Sequence, residues 1–360
     1  MDTRTAKLTS ALLAWFRSHA RDLPWRRTRD PYAIWVSEIM LQQTQVKTVI
    51  PYWERWMREL PTVHEAATAS PARLHKLWEG LGYYSRVRNL QRAAQQLMAE
   101  HAGRFPQDLP AILELPGIGR YTAGAICSIA FNQPTPILDG NVIRVLTRIF
   151  GIATNPREKE TNAQLWKLAE ELVLHAASQP SESACSHLNQ SLMELGALVC
   201  VPRSPNCAAC PIRALCQARK QNRQAQIPNL DKRQAITARR FIAFVVARQG
   251  RYWVRQRPEG VVNGHLWEFP NTEVTAEPSK PPKSAASKLG LKLVAPGLVQ
   301  TIKHSITRYR ITLEVWRAQP AVAPRKSCKP ADRWLTLEEL QQLAFTSAHK
   351  KILARLGTAP

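Results

Sequence analysis

The chain has 360 residues, enough for two domains with well-buried cores, and its 50 Lys and Arg against 27 acidic residues leave a net charge of +23. That excess points to a polyanionic partner, nucleic acid first, and most of it lies beyond Cys216. No apolar run reaches the ~18 residues that span a bilayer, and Arg17 and His19 interrupt Leu12, Leu13 and Phe16 where a cleavable signal would lie, so no membrane role and a cytoplasmic setting are expected. The seven cysteines of a reduced protein are then ligands or core residues rather than bridges.

From Thr5 to about Cys216 apolar residues recur at helical spacing, which predicts an all-α region of short helices. Residues 22–36, DLPWRRTRDPYAIWV, lead into a helix expected from Ser37 to about Ile50, with Val36, Ile39, Gln43, Val46 and Ile50 along one stripe. Glu38 inside it reads either as a solvated face residue or, beside the uncharged polar run Gln42, Gln43, Thr44 and Gln45, as part of a site that hydrogen-bonds bases. Next, Gly80-Leu81-Gly82-Tyr83-Tyr84-Ser85-Arg86 sets adjacent aromatics beside Arg86 and Arg88, which suits base stacking with phosphate neutralisation, or equally half-buried packing.

Residues 115–139, LPGIGRYTAGAICSIAFNQPTPILD, carry the most compact signal. Gly117 and Gly119 permit a tight turn into a helix expected from Arg120 to about Ala130, whose first N–H groups could hold a phosphate; the plain alternative is a helix–turn–helix corner. Asp139-Gly140-Asn141 starts a further helix to about Phe150, with Asp139 as its N-cap. Cys200, Cys207, Cys210 and Cys216 follow as Cys-x6-Cys-x2-Cys-x5-Cys, a compact asymmetric spacing that fits an iron–sulfur cluster better than the two separated pairs of a zinc site. Cys127 falls in an apolar helix as a core residue.

Residues 217–240 are polar and basic and read as a linker. Beyond them the period changes to two. The segments 241–248 and 252–257 flank Gln249-Gly250 as a hairpin, 309–316 forms a further strand, Thr336 and Glu339 make a capping box, and 348–356 a last helix, together an α+β domain. Residues 274–284, rich in Pro, Ser and Lys, are expected to be a mobile loop.

Taken together, SEIMLQQTQV, GLGYYSRVRNL, LPGIGRYTAGAI, ILDGNVIRV and the four cysteines resemble the helix-hairpin-helix DNA glycosylases, and within them the MutY-type adenine DNA glycosylases. The C-terminal part resembles that family's Nudix-like domain, with Leu266-Trp267-Glu268-Phe269-Pro270 as its landmark. The resemblance implies a multidomain chain: an all-α glycosylase region with a helix-hairpin-helix and an iron–sulfur loop over 1–216, a basic linker over 217–240, and an α+β Nudix-like lesion-recognition domain over 241–360.

By the same resemblance the chain would be a monomeric enzyme acting on double-stranded DNA, flipping out and hydrolytically removing adenine opposite 8-oxoguanine or guanine. Glu38 would protonate the leaving base, Asp139 would stabilise the cationic sugar, and Tyr121 would orient both. Bifunctional relatives such as endonuclease III place a lysine where Tyr121 stands, and a phenol cannot form the Schiff base of strand cleavage, so a monofunctional enzyme is implied. Gln43 and Tyr83 match wedge positions, Gly117 and Gly119 a phosphate site, and Thr44 and Asn141 further DNA contacts. Trp25, Arg26 and Gln190 match pocket positions for adenine, although Trp25 also reads as plain core. Cys200, Cys207, Cys210 and Cys216 would hold a 4Fe-4S cluster with a structural role.

Two departures qualify the second domain. The region 283–290 lacks the carboxylates a Nudix hydrolase needs for magnesium, and Ile306-Thr307-Arg308 stand where the family has Phe-Ser-His, leaving Thr307 and Arg308 as DNA contacts and implying weaker lesion discrimination. A mismatch thymine or oxidised-pyrimidine glycosylase of the endonuclease III type is the alternative, and a non-enzymatic DNA-binding protein would not explain Glu38 together with Asp139.

Overall fold

In the computed structural model, which describes residues 3–231, 235–274, 283–306, 308–320 and 331–357, the helical spacing of the first 220 residues becomes a succession of helices. These are α1 Thr3–His19, α2 Pro31–Leu41, α3 Val46–Glu59, α4 Val63–Thr68, α5 Pro71–Trp78, α6 Ser85–His101, α7 Leu109–Leu113, α8 Arg120–Phe131, α9 Gly140–Phe150, α10 Lys159–Ala177, α11 Ala184–Leu198 and α12 Gln217–Lys220. The chain divides into two units, Met1–Thr68 with Arg88–Lys232 and Ala69–Val87 with Arg233–Pro360.

The helical unit closes around one apolar core. Leu8 and Leu12 of α1, Val142, Val145 and Leu146 of α9, Leu165 and Leu172 of α10, and Leu188, Leu192 and Leu195 of α11 pack there at the i, i+3, i+4 and i+7 spacings of helical stripes. Each fully buried leucine contributes ~2 kcal/mol relative to an exposed one. The short α2 behaves differently, because nine consecutive residues, Tyr32 through Met40, are buried. A helix apolar on all sides must lie inside, and it carries Glu38 inside with it. Asp30 starts α2 by accepting the Tyr32 N–H, with Pro31 at the first helical position.

The expected continuous helix from Ser37 to Ile50 is corrected here. Helix α2 stops at Leu41, Gln42 leaves the helical conformation with ψ 111°, Gln43 is left-handed at φ 58°, and α3 begins only at Val46. Four successive polar side chains leave residues 42–45 without apolar residues to bury, so the chain turns instead, and Gln43 is not on the stripe assigned to it. The helices expected near 120–130 and 140–150 are α8 and α9. The basic stretch from 217 begins as α12, buries Ala218 and Ile227, and enters the sheet at Thr237.

The second unit is built on a mixed sheet of β1 Thr237–Arg248, β2 Arg251–Gln256, β3 Trp267–Glu268, β4 Asn271–Val274, β5 Leu291–Ile306, β6 Tyr309–Pro320 and β7 Asp332–Leu335. The strand order is β3-β2-β1-β6-β5, with β4 pairing β1 and β7 pairing β2. Strands β1 and β6 run parallel at the centre, from Thr237 opposite Tyr309 to Val246 opposite Ala318. Alternation along β1 sends Ala243 and Val245 to a core shared with Leu340 and Ile352 of helices α14 Leu337–Gln341 and α15 Ser347–Leu356. Ile242, Phe244 and Val246 go to the opposite core, against Ala285 and Ala286 of α13 Lys283–Lys288. The 241–248/252–257 hairpin is the β1–β2 pair, and the Thr336–Glu339 capping box is formed as expected. The loop expected over 274–284 lies mostly outside the described residues, as does Thr307. No helix among the described residues is long and apolar enough to cross a membrane.

Candidate active site

Three elements bring Glu38, Tyr121 and Asp139 together. Glu38 is carried inward on α2 and is 5 % exposed. Tyr121, one residue into α8, donates its hydroxyl to Glu38 Oε2 at 2.7 Å, leaving Oε1 without a partner among the described residues. Burial drives the Glu38 carboxyl from its ordinary 4.5 up to about 7; the Tyr121 hydrogen bond and the charge of Arg26 pull it down and the nearby charge of Asp139 pushes it up. At neutral pH this carboxyl is therefore about half protonated, which suits an acid catalyst. Burial and the neighbouring carboxylates raise the Tyr121 phenol well above its usual range, so it stays protonated.

Asp139 is the N-cap of α9. Its Oδ1 accepts the backbone N–H groups of Asn141 at 3.0 Å and Val142 at 2.7 Å, and its Oδ2 accepts Asn141 Nδ2 at 2.9 Å. Burial raises this carboxyl while those donors oppose the rise, and it remains half-buried. Asn141, expected as a DNA contact, is occupied locally: besides bonding Asp139 it accepts from Arg144 Nη2 at 2.8 Å. The close packing behind it requires Gly196, where a Cβ would lie 2.7 Å from Asn141 Cβ.

One of the expected pocket residues, Arg26, is tied, together with Arg21, to a carboxylate that sequence reasoning missed. Glu194 of α11 receives Arg21 Nη2 at 2.7 Å and Arg26 Nη2 at 3.0 Å. Burial pushes this carboxyl up, but the bonds from Arg21 and Arg26 prevail and hold it down at about 2. A signal existed, since Glu194 is the one carboxylate in α11 and stands one turn from Gln190. Gln190 is buried and donates to Ser186 Oγ at 3.0 Å. Trp25 is buried with its ring edge-on to Trp53, which is the packing alternative kept for it.

The hairpin joins α7 to α8. Gly117 has φ +79°, and a Cβ there would fall 2.6 Å from Asn89 Cβ, so both conformation and space demand glycine. A Cβ on Gly119, the N-cap of α8, would meet no atom within 4 Å, and no side chain caps this helix. The first-turn N–H groups of α8 are thus uncapped by side chains, whereas those of α9 are capped by Asp139. Gln43 and Tyr83, the expected wedges, are both non-glycine residues with positive φ, 58° and 47°, and both are exposed, Tyr83 at 45 %. Holding such a residue there costs ~1–3 kcal/mol, and strain of this kind gathers at functional sites. Thr44 lies in the same turn, its N–H bonded to Leu41 O. Tyr83 belongs to the other unit, as does the exposed Arg308, which sits over the Tyr309 ring at 5.2 Å.

Cys200, Cys207, Cys210 and Cys216 line one partly open pocket together with Arg148, Asn206 and Gln224. The four thiols are unbridged. Arg148, missed from sequence, is 2 % exposed; its Nη1 lies 3.4 Å from Cys200 Sγ, and it also donates to Val201 O and Ile227 O. Four thiols around one pocket, with a buried guanidinium beside Cys200, are a donor set of the chemical type that holds an anionic thiolate-bound group. No group of three or more His, Cys, Asp or Glu side chains among the described residues is arranged around a single metal ion.

The sequence profile of the HhH-GPD superfamily base excision DNA repair proteins matches residues 36–171, and that of the NUDIX domain matches 242–355. The chain is 36% identical to an adenine DNA glycosylase of Homo sapiens, over 95% of this chain and 72% of that protein. It is 35% identical to one of Buchnera aphidicola, over 72% of this chain and 73% of the relative. Among solved structures, a thermostable thymine-DNA glycosylase aligns with a TM-score of 0.54 at 30% identity, covering 61% of this chain and 97% of that one. An endonuclease III–DNA complex aligns at 0.50 and 22% identity over 62% of this chain and 99% of that one, a likeness of fold.

Proposed function

Because the chain belongs to the adenine DNA glycosylase family of the helix-hairpin-helix base excision repair superfamily, we propose that it is a monofunctional glycosylase that extrudes adenine opposite 8-oxoguanine or guanine from duplex DNA and hydrolyses its glycosidic bond. The observation that carries this reading is Glu38, a buried carboxyl with one oxygen held by Tyr121, the other unpartnered among the described residues, and a pKa of about 7. Such a group can deliver a proton to the departing base and, once ionised, help activate water. Asp139 is held by three N–H donors and stays partly exposed, an arrangement that would suit a cationic sugar. Tyr121 holds Glu38 in place and offers no amine, which supports base removal without Schiff-base strand cleavage.

The uncapped start of α8 suits a backbone phosphate, a contact blind to sequence, as a mismatch enzyme requires. Gln43 and Tyr83 would fill the space left by the extruded base, and Trp25, Arg26 and Gln190 would form the wall of the adenine pocket, with Glu194 fixing Arg26. Cys200, Cys207, Cys210 and Cys216 would hold a 4Fe-4S cluster, which when bound stiffens the loop that follows α11. In this reading residues 1–216 carry excision, 217–240 connect, and 241–360 read the lesion, with Arg308 as a phosphate or base contact; α13 bears no carboxylate for Nudix hydrolysis. The protein would act as a monomer in the reducing cytoplasm.

Duplexes offering A, T or an oxidised pyrimidine as the target test the reading. Release of adenine alone is expected; release of thymine or a damaged pyrimidine in its place would install the endonuclease III-like alternative. High-yield borohydride trapping on DNA would refute the monofunctional assignment. Comparing adenine excision opposite 8-oxoguanine and opposite guanine measures discrimination, for which Ile306 and Arg308 in place of Phe and His predict a modest ratio.

A further inference from the structure

We infer that Glu79 is a positioning residue that fixes the Tyr83 turn to the C-terminal sheet unit, so that the lesion-reading part of the chain holds the duplex wedge; this rests on the wedge role proposed above for Tyr83. Residues 69–87 cluster with 233–360 rather than with the helices on either side of them in sequence. Glu79 is the reason that stands out. It follows α5 directly, and its side chain is 4 % exposed. Its Oε1 accepts the Phe345 N–H at 2.9 Å across 266 residues of sequence. Its Oε2 receives Lys350 Nζ of α15 at 2.8 Å and Lys76 Nζ at 3.1 Å, and the Lys76 ammonium also donates to Leu343 O at 3.0 Å.

The segment that Glu79 grips is itself joined to the sheet. Trp267 of β3 donates its N–H to Ala344 O and accepts the Thr346 N–H, while Phe345 is fully buried against Phe269. On the other side of Glu79 the turn is pinned at several points. The Trp78 indole N–H donates to Gly82 O, the Gly80 N–H to Tyr84 Oη, and Arg86 Nη2 to both Leu81 O and Gly82 O. Tyr83 sits at the tip, left-handed and exposed. A tyrosine pressed against stacked bases does work only if its backbone cannot recoil, and the bonds converging on Glu79 supply that anchorage. An apolar residue could fill the same space, but only a carboxylate meets three donors in one orientation and so fixes the register of the turn on the sheet.

The test uses the full-length protein and a duplex with A opposite 8-oxoguanine and 2-aminopurine at the neighbouring step, whose fluorescence reports unstacking. Wild-type protein is assayed first: failure to release adenine would sink the functional reading without bearing on the latch, and a Tyr83→Ala variant with wild-type rate would remove the wedge role. With both in hand, Glu79→Ala is expected to slow single-turnover excision about tenfold and to abolish the unstacking signal, as loss of one stacking aromatic would. The Glu79→Ala/Tyr83→Ala double variant should be no slower than Tyr83→Ala alone. Glu79→Gln, which keeps an acceptor for the Phe345 N–H but turns an amide NH2 toward Lys76 and Lys350, should restore only part of the signal, more than Glu79→Ala and less than wild type. Lys350→Met, a milder change at a half-exposed cation, covers the case in which Glu79→Ala does not fold and should give a partial, equally non-additive loss. A full unstacking signal in these variants, or losses that multiply with Tyr83→Ala, overturns the inference.

Discussion

Glu38 and Glu194 both lie buried in the helical unit, and their surroundings could hardly differ more. Glu194 on α11 is clasped by the guanidinium groups of Arg21 and Arg26 and is held at about 2, while Glu38 on α2 has a phenol for a partner and is pushed up to about 7. The first arrangement keeps a charge and uses it to fix structure. The second leaves the charge under-compensated, so the proton stays within reach of neutral pH. The sheet unit also pairs carboxylates with guanidinium groups, Glu314 with Arg240, Asp332 with Arg255 and Glu268 with Arg257. What separates a structural carboxylate from the one proposed for chemistry is the company it keeps, since burial is common to both.

Replacing Glu38 should break that contrast most severely. Glu38→Gln keeps the shape and loses the proton, and single-turnover adenine excision is expected to fall by ~10²–10⁴-fold. The same variant should gain stability above neutrality. Because the folded-state pKa is raised, the contribution of Glu38 to stability is full below its ordinary 4.5 and is lost as pH rises through about 7. Glutamine removes the ionisation, so at pH 8 Glu38→Gln should be more stable than wild type by up to ~3 kcal/mol in urea unfolding, the equivalent of a shift of about two pKa units. Near-native excision by Glu38→Gln would end its catalytic role.

Glu194→Gln should do the reverse, costing stability first and activity second. Removing one member of a buried ion pair strands the others, and with Arg21 a third exposed the loss is expected near ~2 kcal/mol at pH 7. Here the folded pKa is depressed, so the contribution is present above the ordinary 4.5 and lost as pH falls through about 2. Unfolding midpoints of wild type and Glu194→Gln should therefore converge as pH drops through that window. A gap that persists at the acidic end would mean that packing, rather than charge, sustains the site. Excision should decline about tenfold through a loosened Arg26.

The residues proposed for the chemistry are legible because their spacing is local: Glu38 within its helix, the glycine hairpin before Tyr121, Asp139 ahead of Gly140, and four cysteines in one short run. The fold class was legible from the change of period beyond the basic stretch. What stayed hidden depends on contacts far apart in sequence. Glu194 meets Arg21 across 173 residues and Arg148 reaches Ile227 across 79, and no pattern in either neighbourhood announces the partner. The parallel pairing of β1 with β6, and the membership of residues 69–87 in the sheet unit, are hidden for the same reason. The break at Gln43 was missed because helical spacing continues through it; a run of four polar side chains was the sign that the helix had nothing left to bury.

The smallest expected effect is the most discriminating. Tyr121→Phe removes the hydroxyl that holds Glu38 Oε2 but keeps the ring, and excision at pH 7 should fall only a few-fold. The pH profile should change more visibly. With Glu38 as the proposed acid, wild-type excision should decline above about 7, tenfold per pH unit. The Tyr121 hydrogen bond lowers the Glu38 pKa, so its loss raises that pKa further and moves the alkaline limb to higher pH. An alkaline limb displaced upward by the loss of a phenol would show that Tyr121 tunes the acid. An unmoved or lowered limb would reduce Tyr121 to packing and would place Glu38 among the carboxylates whose neighbours matter only for structure.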